Sequence, residues 1–131
     1  MRGRALVATG SPFGHVTYQG RPVSVSQCNN SYVFPGLGLG VMASGARRVA
    51  DALFLAAARV LNDCVPPQDG PDPPLLPPLE DLPAVSRRIA LAVGAGAQRE
   101  ELAPQALPEE WERAMEARRW EPRFLPRRGK G

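Results

Sequence analysis

The chain has 131 residues and a formal net charge of +3, a length that allows one domain with a single hydrophobic core and excludes two. Its 13 Gly and 15 Pro interrupt regular structure throughout. No apolar run approaches the roughly 20 residues that a membrane-spanning helix requires. We therefore predict a protein without a transmembrane segment and expect it in the cytoplasm.

The charged and metal-binding side chains are sparse in the first half of the chain. Residues 1–60 contain six Arg and a single acid, Asp51. Spread arginines without interleaved aromatic residues do not predict nucleic-acid binding. The only histidine, His15, and the two cysteines, Cys28 and Cys64, lack the spacing of a zinc site, so we predict no metal centre and expect both thiols to be buried.

The first half of the chain predicts short strands followed by a helix. Ala5–Ala8 is a short apolar run that ends at a turn, as a buried strand does. Residues 16–25 alternate around Gln19-Gly20 and predict a small hairpin. Apolar residues then recur at helical spacing, with Pro35 at the first helical position and Gly45 at the end. Alternating glycines make this helix thin, which predicts close packing on another backbone rather than dinucleotide binding.

A second helix and a proline-rich segment follow. Asp51 is a candidate N-cap for a helix that extends to Cys64. Residues 66–79 contain seven prolines in fourteen positions, which predicts an extended, polyproline-like connection.

Two further helices are predicted in the last third of the chain. One begins after Asp81 and is expected to weaken from Gly94 onward. The other begins at Pro108 and places Trp111 as a packing anchor.

Asn29 and Asn30 precede the glycine-rich helix and allow two interpretations. Either residue can cap the helix, or the adjacent amides can donate hydrogen bonds to a carboxylate ligand.

Three segments of the sequence are similar to segments of one enzyme family. Residues 3–14 read GRALVATGSPFG and resemble the G-R-A-x-F-A-[ST]-G-S-P-F segment of malic enzymes, which oxidatively decarboxylate malate to pyruvate with NAD(P). Residues 27–40 read QCNNSYVFPGLGLG and resemble the family's G-Q-G-N-N-x-Y-x-F-P-G-x-x-L-G segment. Residues 76–90 resemble its Y-P-P-L and V-S-x-x-I-A segments. Their shared order makes the resemblance specific.

The resemblance implies a fold and a division of the chain. The fold class is α/β: an α-rich C-terminal fragment of a Rossmann-type NAD(P)-binding domain, with one main strand, a short hairpin and about four helices. Residues 1–107 correspond to the C-terminal part of that domain. Residues 108–126 form a C-terminal helix and extension, and residues 127–131 a basic disordered tail.

The resemblance also implies roles for individual residues. The family's Asn-Asn pair supplies amides to the substrate carboxylate near the nicotinamide, so Asn29 is the first candidate for malate contact and Asn30 the second. Thr9, Gly10 and Ser11 are the candidates for cofactor contact, because their turn would follow a sheet strand, where ligand crevices lie. In this sequence Cys28 replaces the family's glycine before the Asn pair.

The catalytic residues of the family are not matched. In malic enzymes the base is a lysine, the proton donor a tyrosine and the metal ligands three acids. Here the single lysine is Lys130, and neither Tyr18 nor Tyr32 lies in the catalytic tyrosine's motif. We therefore predict no catalytic and no metal-binding residue, and expect this chain to be inactive alone; whether it functions as an enzyme stays undecided.

The family implies ligands and partners. Its cofactors are NAD or NADP with Mg or Mn, its substrate and product are malate and pyruvate, and a mitochondrial location is compatible with it. A homo-oligomer or a complementing chain is the expected protein partner. The alternative hypothesis is a non-catalytic protein-interaction module derived from the same domain, which would bind a partner through residues 66–79 or the basic tail.

Overall fold

The structure, a computed structural model, describes residues 6–67 and 73–119. Within them the chain forms short strands and then helices. The strands are β1 (Val7–Thr9), β2 (Val16–Tyr18), β3 (Arg21–Val23) and β4 (Val25–Gln27). The helices are α1 (Phe34–Ser44), α2 (Asp51–Asp63), α3 (Leu82–Arg99) and α4 (Pro108–Glu116), with single 3-10 turns at Asn30–Tyr32 and Leu79–Asp81. No helix in the described part is long and apolar enough to cross a membrane.

The strands form two separate pairs. β1 and β4 are parallel, with Thr9 beside Gln27. β2 and β3 form the predicted antiparallel hairpin, whose turn holds Gln19 at φ 50° and Gly20 at φ 74°. The sequence did not predict β4 as a separate strand, since Val25 alternates in phase with the hairpin. The fold class, a mixed α/β structure with four helices, is confirmed.

Helix α1 packs against α3 through two of its glycines, as the sequence predicts. A Cβ at Gly36 would lie 2.6 Å from the Ser86 carbonyl oxygen, and one at Gly40 would lie 2.7 Å from that of Ala90. Gly38 faces away, with no atom within 4 Å of the same position. The glycine run therefore permits close contact between two helices and is not a phosphate-binding loop.

Helix α3 lies at the centre of the core and does not weaken at its glycines. It continues through Gly94 to Arg99 because other side chains cover these positions. The indole of Trp111 from α4 occupies the space beside Gly94, which confirms Trp111 as a packing anchor, and Leu53 from α2 covers Gly96. The fully buried core side chains include Leu53, Ala57, Ile89, Ala90, Val93 and Ala97.

Three local expectations were wrong. Ala50, not Asp51, is the N-cap of α2, and Asp51 lies in the first helical turn, where its charge still favours the helix dipole. Helix α1 begins at Phe34, one residue before Pro35. The thiols are not buried: Cys28 is exposed, because it lies in a surface loop after β4, and Cys64 is half-buried at the end of α2.

Some expectations fall on other parts of the chain. The basic tail at 127–131, Lys130 and the end of the 108–126 segment lie outside the described residues. In the described portions of 66–79, residues 66–67 and 73–78 form neither helix nor strand.

Candidate functional site

The structure brings the two predicted site segments together. Thr9–Ser11 follows β1 and Cys28–Asn30 follows β4, and the two strands are parallel. The Cys28 backbone N–H donates to the Thr9 carbonyl over 2.8 Å, which extends the pairing into the loops. Both loops thus lie at the carboxyl ends of parallel strands, where α/β proteins bind ligands.

Asn29 caps the 3-10 turn with only one end of its side chain. Its Oδ1 accepts from the Ser31 backbone N–H over 2.9 Å and also from the Ser31 hydroxyl. These two donors identify which end of the amide is the oxygen. The Nδ2 group donates to no protein acceptor in the described part of the chain and is available to a ligand. Capping and carboxylate binding are therefore compatible at Asn29.

The neighbouring Asn30 is exposed, and its side chain makes no hydrogen bond to the described residues. Its carbonyl accepts from the Val33 N–H over 3.2 Å, which holds its backbone in the 3-10 turn. Cys28 does not distort this loop, because the non-glycine residues with positive φ among those described are Gln19 and Glu101. The loop therefore forms without the glycine that the family has at this position.

The Thr9–Ser11 turn presents backbone to solvent. The Thr9 hydroxyl donates to the Ser11 carbonyl over 2.7 Å and fixes the turn. Gly10 is exposed, and nothing lies within 4 Å of the position that a Cβ would occupy. A ligand can therefore approach the Gly10 backbone closely, which fits part of a dinucleotide at a strand end.

A proline-containing segment holds the Asn29 loop from behind. The Tyr32 hydroxyl donates to the Pro77 carbonyl over 2.7 Å in a buried hydrogen bond, and the Leu75 N–H donates to Ser26 Oγ over 3.2 Å. Burial, and to a lesser extent the nearby Cys28, raises the pKa of Tyr32 above its ordinary value of 10.0, so the phenol remains a donor at neutral pH.

Beside this segment lies a groove of about 260 Å³ lined by Tyr32 and by residues 12–13, 25–27 and 76–79. Its lining does not include Thr9, Gly10, Ser11 or the two asparagines. The sequence excluded Tyr32 as the catalytic tyrosine and did not reveal its contact with Pro77. One signal for this contact was present in the sequence: Tyr32 lies in the second of the family-like segments and Pro77 lies in the third.

The site provides hydrogen-bond donors but no carboxylate and no lysine. Residues 6–46 contain no Asp, Glu or Lys. In the described ranges no three His, Cys, Asp or Glu side chains are close enough to hold a metal ion. These residues therefore do not fit a divalent metal, and what the arrangement can do is bind and orient an anionic ligand through the side-chain amides of Asn29 and Asn30.

The comparisons agree with the motifs. The family model described as malic enzyme, NAD binding domain, matches residues 1–98. Over 122 residues the chain is 51% identical to the NAD-dependent malic enzyme of Proteus mirabilis, 48% identical to that of Pectobacterium carotovorum and 47% identical to that of Acinetobacter baylyi. These matches cover 93% of this chain and 22% of each relative, so the chain spans about a fifth of the length of the relatives it matches.

Proposed function

Since this chain belongs to the malic enzyme NAD-binding domain family, we propose that it supplies the substrate-carboxylate contacts of an NAD-dependent malic enzyme active site. The observation that carries the proposal is the Asn29 side chain, whose oxygen is held by Ser31 while its Nδ2 group donates to no acceptor in residues 6–67 and 73–119. An amide fixed in this way presents two N–H donors in one orientation, as a carboxylate requires.

Each segment of the site takes one part of this function. Asn29 donates to the carboxylate of malate, and the exposed amide of Asn30 provides a second donor beside it. Thr9, Gly10 and Ser11 contact the dinucleotide through the open backbone of their turn. Bound NAD would supply the hydride acceptor for oxidation of the substrate. We propose NAD rather than NADP because the relatives are named as NAD-dependent enzymes.

The other catalytic groups of the reaction are assigned to malic enzyme polypeptide outside this chain. The described residues hold no metal cluster, and the single lysine of the sequence is Lys130. The base, the proton donor and the Mg or Mn ligands therefore come from elsewhere in a complete enzyme. We expect the 131-residue chain alone to show no malate-dependent reduction of NAD.

The parallel sheet supports a complementing partner. In the described residues β1 pairs with β4 alone, and the β1 side chain Val7 and the adjacent Leu6 are 43% and 52% exposed. Parallel sheets normally have more strands and are covered on both faces. Further strands from additional malic enzyme polypeptide would complete the sheet at β1.

The non-catalytic interaction module receives less support. That hypothesis requires the proline-rich segment or the basic tail to be accessible to a partner, and the tail at 127–131 lies outside the described residues. Pro77 is fully buried, its carbonyl accepts from Tyr32, and Leu75 is bonded to Ser26. This part of the segment is therefore packed into the chain itself.

A malate titration followed by nuclear magnetic resonance tests the proposal. Adding malate to the labelled chain should shift the Nδ2 signals of Asn29 and Asn30 in a saturable manner and leave those of Asn62 on α2 unchanged. Asn29→Ala should weaken binding by about 10- to 100-fold, because a hydrogen bond to a charged group contributes about 1.5–3 kcal/mol. Equal malate affinity in Asn29→Ala and the wild type would refute the role of Asn29.

A further inference from the structure

The residues on both sides of Asn29 are fastened to the same proline-containing segment. On one side Ser26 Oγ accepts from the Leu75 N–H, and on the other the Tyr32 hydroxyl donates to the Pro77 carbonyl. The two partners are 49 residues apart in sequence in the first hydrogen bond and 45 in the second. Both are therefore tertiary contacts and not features of the local turn. The Asn29 loop is thus held at both ends by Leu75–Pro77, which we call the strap.

We infer that Tyr32 is a positioning residue for the carboxylate site: its hydrogen bond to the strap sets the orientation of the Asn29 amide. The inference rests on the proposed function of Asn29 and extends it to a residue that does not touch the ligand.

The connection between the two side chains is short. Tyr32 is the last residue of the 3-10 turn that Asn29 caps, and the Asn29 oxygen is bonded to Ser31, the residue immediately before Tyr32. A displacement of Tyr32 therefore moves Ser31 and changes the geometry of both bonds to Asn29 Oδ1. The direction of the Nδ2 donors changes with it.

The Tyr32 contact is well placed to hold this geometry. Tyr32 is 3% exposed and Pro77 is fully buried, so water does not compete readily for the hydrogen bond. Proline has no N–H and a fixed φ, which limits how far its carbonyl can turn away. By contrast, the Leu75–Ser26 bond is exposed and is the weaker of the two links.

The phenolic hydroxyl can be tested separately from the ring. Tyr32→Phe retains the buried ring and removes only the donor, and Tyr18→Phe makes the same change at a tyrosine that is 55% exposed on the hairpin. The full 131-residue chain is labelled with nitrogen-15. The exchange rate of the Ser31 backbone N–H is compared with that of Ile89 in the buried core, and malate affinity is measured in each variant.

We expect Tyr32→Phe to accelerate exchange at Ser31 at least tenfold relative to Ile89 and to weaken malate binding at least fivefold. Tyr18→Phe should leave both within twofold of the wild type. The inference is overturned if Tyr32→Phe leaves Ser31 exchange within twofold, or if Ser31 and Ile89 accelerate equally, since the hydroxyl would then act only on global stability.

Two further outcomes are distinguishable. If malate shifts no Asn signal in the wild-type chain, the proposed function fails, and the Ser31 exchange rate alone decides the role of Tyr32. If Tyr32→Phe does not fold, Ser26→Ala removes the other link to the strap. The Tyr32 bond then holds the loop by itself, so a Ser31 exchange rate within twofold of the wild type relative to Ile89 supports the role of Tyr32, and an acceleration of tenfold or more contradicts it.

Discussion

The contact between Gly94 and Trp111 predicts a large and unusual effect of a single methyl group. In an exposed helix interior, replacing Gly by Ala stabilises the helix by about 1 kcal/mol. At Gly94, however, the new Cβ would lie 2.1 and 2.2 Å from two carbon atoms of the Trp111 indole. The rigid indole cannot bend away, so α4 must move from α3.

The cost can be bounded from the structure. Overpacking of this kind costs about 1–3 kcal/mol when the neighbours adjust. Complete release of the buried Trp111 side chain, with an aromatic area of about 200 Å², would cost about 5 kcal/mol. After subtraction of the helix propensity gain of about 1 kcal/mol, the limits become about 0 and 4 kcal/mol, and we expect Gly94→Ala to be destabilised by about 2 kcal/mol. Gly38→Ala on α1, where no atom lies within 4 Å, should be stabilised by about 0.5–1 kcal/mol.

Urea unfolding monitored by circular dichroism measures both variants. We expect Gly94→Ala to lower the free energy of unfolding and Gly38→Ala to raise it. If the two variants are equally stable, Trp111 does not occupy the space beside Gly94 and α4 does not pack on α3 at that position.

Two other predictions concern charge. Arg87 of α3 and Glu116 of α4 form an ion pair at 3.1 Å, and each side chain is about 45% exposed. Glu116→Gln should therefore lower the free energy of unfolding by less than about 1 kcal/mol. In the same urea assay this loss should disappear in 1 M salt, which screens the pair. Glu112→Gln, which removes a like charge at i,i+4 spacing, should be neutral or slightly stabilising, and an equal loss in the two variants would contradict the ion pair. The pKa of Tyr32 is raised in the folded state, so the protonated phenol contributes to the free energy of unfolding. This contribution is fully present below pH 10.0 and is lost as the pH rises through the pKa of Tyr32 in the folded protein. The free energy of unfolding should decline by up to about 1.4 kcal/mol per pH unit in this range. The decline should be present in Tyr18→Phe and reduced in Tyr32→Phe. Identical dependence of stability on alkaline pH in both variants and the wild type would contradict this role of Tyr32.

Local sequence signals were sufficient for most of the elements. The hairpin was predicted because Gln19-Gly20 lies between alternating residues, and that turn requires positive φ at both positions. Gly45 ends α1 at φ 69°, as a glycine after a helical run indicates. In these cases the residue type determines the backbone conformation with little help from tertiary contacts.

Tertiary contacts explain what the sequence did not reveal. Gly94 was expected to weaken α3, but Trp111, seventeen positions away, fills the space beside it. The pairing of β4 with β1 joins residues that are far apart in sequence, and a three-residue strand has too few positions to show a period. The Tyr32–Pro77 hydrogen bond spans 45 residues, and no local pattern predicts it.

The candidate site was only partly predictable. Asn29, Asn30 and the Thr9–Ser11 turn were selected through the resemblance to malic enzymes, whereas residue chemistry alone left capping and ligand binding as alternatives for the asparagines. The structure shows that Asn29 caps with its oxygen, while its N–H donors make no hydrogen bond to the residues that the structure describes, a distinction that the sequence cannot make. The roles of Asn29, Asn30 and the turn in binding stay predictions.

The Asn29 amide is proposed to bind the substrate carboxylate in a malic enzyme active site. The most direct measurement places this chain's 122 aligned residues into the Proteus mirabilis enzyme in place of its own segment, which is 51% identical. NADH formation is then followed at varied malate concentrations. We predict an active hybrid whose KM for malate rises about 10-fold or more in Asn29→Ala, with the KM for NAD unchanged. An active hybrid with the same malate KM in both forms would contradict the claim.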